Sequence, residues 1–325
     1  MARLSEAMTT GFSPADGPTP EQATERRQLD LFLDGQDAFL VHEITSGIIQ
    51  RDRRRAATGL ERLRHERPLH PDLSALALLI TSLDSPAASP ATHAMVTDDI
   101  EAMQNALAPV ARRLLGASAA AVLEPSWRSL AARAAGVPFD EAHPRAHRSW
   151  LCRQYADWAA VRAAVEAESR WAWRPCLRYR LGLARYHLGE LEAAIQAWLP
   201  LCWMDPGLFA RRAPTLPAAI MREAWEAFDH TFAGDESLVD TTEVATWFPA
   251  WLLLRHRGLV HLFRSDEVPE AGAASRAFRH LLSLLPLESQ GLNEALIRER
   301  RALRQLSPSF FRYYMQVVPA RGARA

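Results

Sequence analysis

Apolar residues recur at helical spacing from about residue 36 onward. In DAFLVHEITSGIIQ, Leu40, Ile44 and Ile48 stand four residues apart, as on one face of an α-helix. The following segment, RDRRRAATGLERLRHERP, keeps this spacing until Pro68 interrupts it. The pattern therefore predicts two antiparallel helices joined by a tight turn.

The same reading continues through the next stretch of the chain. A third helix is predicted to start at Pro71, and the Ser-, Pro- and Ala-rich residues 85–95 are predicted to form a linker. In the helix after it, Pro109 is expected to cause a kink and Gly116 to end the helix. Another helix is expected to begin at Pro125, because proline suits the first helical turn.

The middle of the chain contains a repeat. HRSWLCRQYADWAAVRAAVEAESRW and LRYRLGLARYHLGELEAAIQAWLPLCWMDP both read as helix, short turn and helix, and the second follows the first after about 32 residues, a period typical of stacked helical hairpins. The second unit, about residues 175–206, resembles the tetratricopeptide repeat (TPR) family. The resemblance is carried by Leu181, Gly182, Gly189, Ala194, Trp198 and Pro206.

The match to the family is incomplete. Arg178 stands where the family prefers Trp, and Arg185 stands where an aromatic residue is expected, with Tyr186 one position late. The second-helix half of the pattern recurs loosely before Pro68 and before Pro286. Small residues at such positions let two helices pack closely, and a large aromatic residue fills the remaining space.

The resemblance also implies a binding surface. In TPR proteins the first helix of each hairpin lines a concave groove, which implies a peptide-binding face here. On such a face an arginine would donate hydrogen bonds to a carboxylate of the peptide, and a tyrosine ring would form a flat apolar wall. The alternative is that Leu183 and one tyrosine are core residues and that the arginines are solvated. The groove residues implied are Arg148, Arg153, Tyr179, Arg180, Leu183 and Tyr186.

No segment shows the period-two alternation of a strand, so the predicted fold class is all-α, with antiparallel helical hairpins stacked into a TPR-like solenoid. Residues 1–27 are predicted to be a disordered tail, 28–35 a short linear motif, 36–140 an N-terminal helical region, 141–317 the TPR-like region and 318–325 a second tail.

A separate five-residue signal precedes the first helix. Gln28, Leu29, Asp30, Leu31 and Phe32 resemble the bacterial sliding-clamp-binding motif at every position. The resemblance implies an extended peptide that binds a pocket of the clamp. Its glutamine would form hydrogen bonds at the mouth of the pocket, and its Leu and Phe side chains would be buried inside. The alternative is a short amphipathic helix that caps the solenoid.

Composition narrows the classes of function. The 325 residues contain 38 basic and 38 acidic side chains, and no lysine occurs among the bases. The absent lysine excludes the P-loop, protein-kinase and Schiff-base mechanisms that need an amine. The balanced charge argues against direct binding of nucleic acid or of a membrane surface as the main activity.

The cysteines and the lengths of the apolar runs indicate in which compartment the protein works, the cytoplasm. Cys152, Cys176 and Cys202 are far apart in apolar helical segments, which indicates reduced thiols. The N-terminus lacks the apolar core of a signal peptide, and no uninterrupted apolar run reaches the roughly 18 residues of a membrane span. A cytoplasmic protein is predicted.

Other chemistry-bearing residues have a structural explanation in the sequence. The spacing of His143 and His147 could suit a metal, but Pro144 between them indicates a helix start and a solvated or capping role. Two arginine runs, around residues 51–62 and 298–304, are interleaved with glutamates as on solvated helix faces. Ten tryptophans, most of them between Trp150 and Trp251, stand at helical spacing among Ala and Leu and are predicted to be core residues.

The sequence contains no recognisable nucleophile and base, carboxylate pair or phosphate cradle, so no metal and no cofactor is predicted. The function predicted is a non-enzymatic scaffold that binds a peptide or protein on the concave face of a helical repeat. The alternative is a replication or repair accessory protein tethered to the sliding clamp through residues 28–32.

Overall fold

The computed structural model describes residues 37–84, 91–232, 244–268 and 272–318. Over these ranges the chain is all-helical, and no strand occurs among them, which confirms the predicted all-α class. The packing divides the chain into two compact units. The first contains the described residues up to 84 together with 102–126, and the second contains 91–101 and the described residues from 127 onward.

The first unit opens with a helical hairpin. Helix α1 covers residues 37–49, and it is followed by α2 (Arg53–Glu66) and α3 (Leu73–Thr81). The three-residue turn between α1 and α2 contains Arg51 at a positive φ of 57°. Asp52 then caps α2 by accepting a hydrogen bond from the backbone N–H of Arg55.

Glycines allow α1 and α2 to approach closely. A Cβ on Gly47 would lie 2.9 Å from the backbone nitrogen of Ala56, and a Cβ on Gly59 would lie 2.8 Å from Cγ1 of Ile44. These pairings run in opposite directions along the two helices, so the hairpin is antiparallel. All the apolar residues identified by their helical spacing are buried: Leu40, Ile44, Ile48, Ala56, Leu60 and Leu63.

A long helical stretch, His93–Gly136, contributes residues to both units. It comprises α4 (His93–Glu101), a π-helical segment (Ala102–Leu107), α5 (Ala108–Leu115) and α6 (Ala119–Arg133). The expectation of a new helix at Pro125 is wrong, because Pro125 lies inside α6. Gly116 adopts a positive φ of 54° and marks the break between α5 and α6.

By length and composition alone, the stretch His93–Gly136 could cross a membrane, although the uninterrupted apolar runs counted in the sequence are shorter. Of its most apolar window, 39% is buried within the protein. Core helices of soluble proteins have the same length and composition, so this single stretch is weak support for a membrane span.

The second unit is a succession of helices that pack on their neighbours in sequence. Adjacent pairs in contact include α7 with α8, α8 with α9, α9 with α10, α14 with α15, and α15 with α16. From residue 148 onward its described helices are α7 (Arg148–Arg153), α8 (Trp158–Glu166), α9 (Pro175–His187), α10 (Leu191–Trp198), α11 (Leu201–Met204), α12 (Pro206–Arg212), α13 (Ala219–Phe232), α14 (Val244–Arg255), α15 (Ala273–Glu288), α16 (Glu294–Leu306) and α17 (Pro308–Val317).

Aromatic residues form much of the core of the second unit. Trp198 and Trp251 are among its largest fully buried side chains, and Phe248 contacts the rings of Phe209, Trp225 and Phe228. Most of the tryptophan cluster is therefore core, as its helical spacing predicts. Trp173 departs from this pattern, because 72% of its surface is exposed.

Candidate partner-binding face

The residues of the predicted groove lie on α7 and α9, which pack against each other. Some of these side chains are buried and the others are accessible to solvent. Tyr179, Arg180 and Leu183 are buried, so in this structure they do not form an open groove. The accessible members of the set are Arg148, which is exposed, and Arg153 and Tyr186, which are half-buried.

Arg180 is the buried charge at the centre of this region. Only 3% of its surface is exposed, and its guanidinium donates to Ser149 Oγ at 2.9 Å and to the carbonyl oxygen of Pro144 at 2.6 Å. Burial is the main cause that lowers the pKa of Arg180 to about 10; Cys176 opposes this effect, and the charges of Arg153 and Arg212 add to it. Even so, Arg180 is charged at neutral pH.

A buried hydrogen-bond network continues from Ser149 to His147. His147 is the N-cap of α7, where its Nδ1 accepts from the backbone N–H of Ser149 at 3.3 Å and lies 2.8 Å from Ser149 Oγ. Its Nε2 lies 3.3 Å from Glu168 Oε1. The pattern assigns the neutral tautomer that carries its proton on Nε2. A solvated or a capping role was expected for this histidine, and it has the capping one.

The environment of His147 keeps the ring neutral. Burial and the positive charge of Arg180 lower its pKa from 6.5 to about 4, outweighing the opposite effect of Glu168. Glu168 also accepts from the backbone N–H of Phe139 at 3.0 Å. The network thereby joins the irregular segment before α7 to the chain between α8 and α9.

The order Ser149, His147, Glu168 resembles a nucleophile, base and acid relay. The geometry assigns it a structural role instead. Ser149 is fully buried, and its hydroxyl is already engaged by both Arg180 and His147. A nucleophile must reach its substrate, so this hydroxyl is not available for attack.

Arg212 is a neighbour of the face that sequence reasoning missed. Its guanidinium carbon lies 5.3 Å from the ring centroid of Tyr179, within the range of a cation–π contact. Arg212 is exposed and ends α12, which in the sequence lies outside the TPR-like unit. The sequence signal that would have revealed it is weak, because contact across α9 and α12 depends on tertiary packing.

Arginines of this face lack acidic partners. Over the described ranges of the chain, Arg148, Arg153 and Arg212 have no ion pair with a carboxylate within 4.0 Å. Nearby arginines of the same unit do have one: Arg162 lies 2.8 Å from Glu190, and Arg185 lies 3.6 Å from Glu166.

The other end of α9 carries an aromatic group. The rings of Trp158 and His187 stack with centroids 3.9 Å apart. Tyr186 lies beside both His187 and Trp198, with centroid distances of 5.4 Å and 6.3 Å. Tyr186 is therefore packed between an exposed histidine and the core, which leaves part of its ring accessible.

The two arginine runs noted in the sequence are partly engaged within the protein. Arg51 donates to the carbonyl oxygen of Val122 at 3.5 Å, and Arg62 lies 3.3 Å from Glu43. In the second run Arg300 binds Glu288, whereas Arg298, Arg301 and Arg304 are exposed.

Two concave sites lie elsewhere in the second unit, and neither contains a predicted groove residue. One, of about 430 Å³, lies between α13 and α14 and is lined by Trp251, Arg255 and Glu223 among others. The other, of about 620 Å³, lies at the start of α10 beside Glu190 and Glu192. Among the described residues no group of three or more His, Cys, Asp or Glu side chains could hold a metal ion.

The predicted clamp-binding residues 28–32 lie outside the described residues. No family model, curated protein or solved structure significantly matches this chain. The candidate face is therefore argued from its own residues and their geometry alone.

Proposed function

We propose that this protein is a non-enzymatic scaffold that binds a peptide or protein partner on a TPR-like helical repeat. The observation that carries the proposal is the accessible arginine face on α7, α9 and α12, where Arg153 and Arg212 have no carboxylate partner among the described residues. Guanidinium groups without internal partners are suited to an external acceptor.

The α9–α10 hairpin supports the TPR-like part of the proposal. Gly189 adopts a positive φ of 84° in the turn between the two helices, a conformation that favours glycine. Ala194 and Trp198 of α10 are fully buried against α9. These are three of the positions at which the sequence resembles the family, and their conformation and burial support the proposal.

The partner face that we propose consists of Arg148, Arg153, Tyr186 and Arg212. Tyr179 and Arg180 lie beneath it: Tyr179 supports Arg212, and Arg180 contributes its charge from a buried position. The proposed face lies at the location predicted from the sequence, but accessible residues rather than the buried Tyr179 and Arg180 contact the partner.

The test is a crosslinking pull-down from the native cell, followed by binding measurements with each purified candidate. The variant Arg148→Gln with Arg153→Gln removes one exposed and one half-buried charge while keeping helix-compatible side chains. We expect specific partners to be lost from this variant. Hydrogen exchange in the reconstituted complex should show protection in residues 148–186.

The matched control is Arg170→Gln with Arg211→Gln. It makes the same change in net charge at two exposed arginines that likewise have no carboxylate partner among the described residues. If both double variants retain every partner, or lose the same ones, the proposed face is wrong.

A second candidate function rests on the complete five-residue match at Gln28–Phe32. In this proposal the protein is a replication or repair accessory factor held at the bacterial sliding clamp by that segment. It is compatible with a scaffold, because the motif would tether one partner while the helical face binds another.

Calorimetry of purified clamp with a peptide of residues 24–36 tests this candidate. We expect saturable binding that is lost when Leu31 and Phe32 are replaced by Ala, since apolar anchors dominate such short interfaces. Equal binding of the altered peptide, or none by either peptide, would exclude the tether. The full-length protein with the same two substitutions is the second measurement.

A further inference from the structure

Arg180 carries a buried charge with no carboxylate within 4.0 Å among the described residues. It donates to Ser149 Oγ and to the Pro144 carbonyl oxygen, which are neutral, and it also interacts with the side chain of Cys176. Burying an ion is costly unless an opposite charge compensates it. The Glu168 carboxylate belongs to the same network, but it contacts His147 and Phe139.

Two further arginines surround Arg180 and increase the positive potential. Arg153 is on α7, which packs on α9, and Arg212 lies over Tyr179, the residue next to Arg180 in the chain. The charges of both Arg153 and Arg212 act on Arg180 and lower its pKa. Arg180 of α9 therefore lies within electrostatic range of one arginine from α7 and one from α12.

The contact of Arg212 with Tyr179 leaves its hydrogen-bond donors available. Its guanidinium carbon lies 5.3 Å from the Tyr179 ring centroid, and among the described residues no acceptor binds its N–H groups. The planar fork of a guanidinium matches the two oxygens of a carboxylate. Arg212 can therefore keep its contact with Tyr179 and still donate to a ligand.

We propose that this face binds an acidic segment of a partner protein, whose Asp or Glu carboxylates pair with Arg153 and Arg212 beside the buried Arg180. This inference rests on the proposed scaffold function and names the chemistry of its partner. Arg180 makes no direct contact in this arrangement. It attracts the acidic segment through its field, which is screened less inside the protein than in water.

The surroundings favour an acidic peptide over nucleic acid. A phosphate backbone needs an extended track of basic residues, whereas arginines next to this face are paired with carboxylates, as in Arg162 with Glu190 and Arg185 with Glu166. The whole chain has a formal net charge of zero. A compact group of three arginines fits a few carboxylates.

Fluorescence anisotropy with a labelled glutamate-rich peptide tests the inference on the full-length protein. The reference peptide replaces every Glu by Gln. We expect saturable binding of the acidic peptide alone, weakened about tenfold by Arg153→Gln and by Arg212→Gln, in line with the loss of one charge-assisted hydrogen-bond pair. Added salt should weaken the wild-type complex.

Arg211→Gln is the matched control, because Arg211 precedes Arg212 on the same short helix and is also exposed. Its guanidinium is folded back toward Gly207, where a Cβ would lie 3.2 Å from Nη1. Binding should be unchanged in this variant. Equal weakening by Arg211→Gln and Arg212→Gln would overturn the inference.

Two other results would also overturn it. One is equal affinity for the Glu and Gln peptides, or none for either. The other is tighter, Arg153- and Arg212-dependent binding of a single-stranded DNA oligonucleotide, which would assign the face to phosphate. If a cellular partner still depends on Arg153 while the acidic peptide does not bind, the partner chemistry is wrong and the scaffold function stands.

Discussion

The indole of Trp198 lies directly against the backbone of Gly182. A Cβ on Gly182 would be 2.2 Å from Nε1 of Trp198, far inside van der Waals contact. The same Nε1–H donates to the carbonyl oxygen of Tyr179 at 3.3 Å. The indole is therefore held between a backbone acceptor and a position that has room only for a hydrogen atom.

Gly182→Ala should destabilise the protein by about 2 kcal/mol or more, because overpacking of a rigid core costs about 1–3 kcal/mol and the helix-propensity gain of Ala is about 1 kcal/mol at most. The expected strain lies toward the upper end, since the clash is with a fully buried ring. Urea unfolding followed by tryptophan fluorescence measures the change.

Gly136→Ala is the control for this substitution. A Cβ there meets nothing within 4 Å, and Gly136 does not have a positive φ. Its unfolding free energy should change by less than about 0.5 kcal/mol. A Gly182→Ala protein as stable as Gly136→Ala would contradict the packing described for Trp198.

Replacing Trp198 by Leu should partly relieve the Gly182→Ala substitution. Trp198→Leu alone costs stability through the cavity that it leaves. In the double variant the added methyl group occupies part of that space, so the two costs should add to more than the measured total by about 1 kcal/mol. A thermodynamic cycle of the four proteins gives this coupling, and strict additivity would rule it out.

Stability should decline in mild acid because of His147. Its pKa in the folded protein is about 4, below the 6.5 of an ordinary histidine, so the folded state binds fewer protons than the unfolded chain between these values. The full contribution is present above pH 6.5 and is lost as the pH falls toward 4. Linkage gives a loss of up to about 3 kcal/mol.

His147→Asn separates this effect from general acid denaturation. Asn is a good N-cap residue and does not titrate, so the variant should lose part of the decline between pH 6.5 and 4. His230→Asn, at an exposed site on α13, is the control and should leave the pH profile unchanged. Identical slopes for wild type and His147→Asn, measured by urea unfolding at each pH, would refute the assignment.

Arg300 should contribute more to stability than its neighbour Arg301. Its Nη2 donates to both carboxylate oxygens of Glu288 at 2.9 and 3.0 Å, and its Nε lies 3.1 Å from Oη of Tyr314. Arg300→Gln is expected to cost about 2 kcal/mol, since Glu288 is largely buried and loses its counter-charge.

Arg301→Gln changes the same charge on an exposed side of α16 and should cost less than about 0.5 kcal/mol. Thermal unfolding by near-ultraviolet circular dichroism compares the two variants. Equal midpoints would show that the Glu288 contact adds nothing measurable, as is common for exposed ion pairs.

Local sequence signals account for most of the helices. The four-residue period around Leu40 and Ile44 marks the buried face of α1, and the Leu-Gly and Ala-Trp pairs mark the interface of α9 with α10. Proline was less reliable. Pro125 was expected to start a helix, but it lies within α6, six residues after the first residue of that helix.

The division into compact units follows from the packing, which separates residues 102–126 from 127 onward and joins 91–101 to the second unit. A continuous helical stretch spans this boundary. Composition shifts and loop residues give no signal when a unit boundary falls inside a helix.

By itself, the sequence determined the all-α class, the hairpin turn at Gly189 and the close approach at Gly182, because each depends on residues near one another in the chain. Only the tertiary structure decided that Arg180 is buried beside His147 and that Arg212 lies over Tyr179. An arginine has the same local propensity whether solvated or enclosed. Its surroundings depend on which distant helices pack around it. That packing decides which arginines lie at the candidate face.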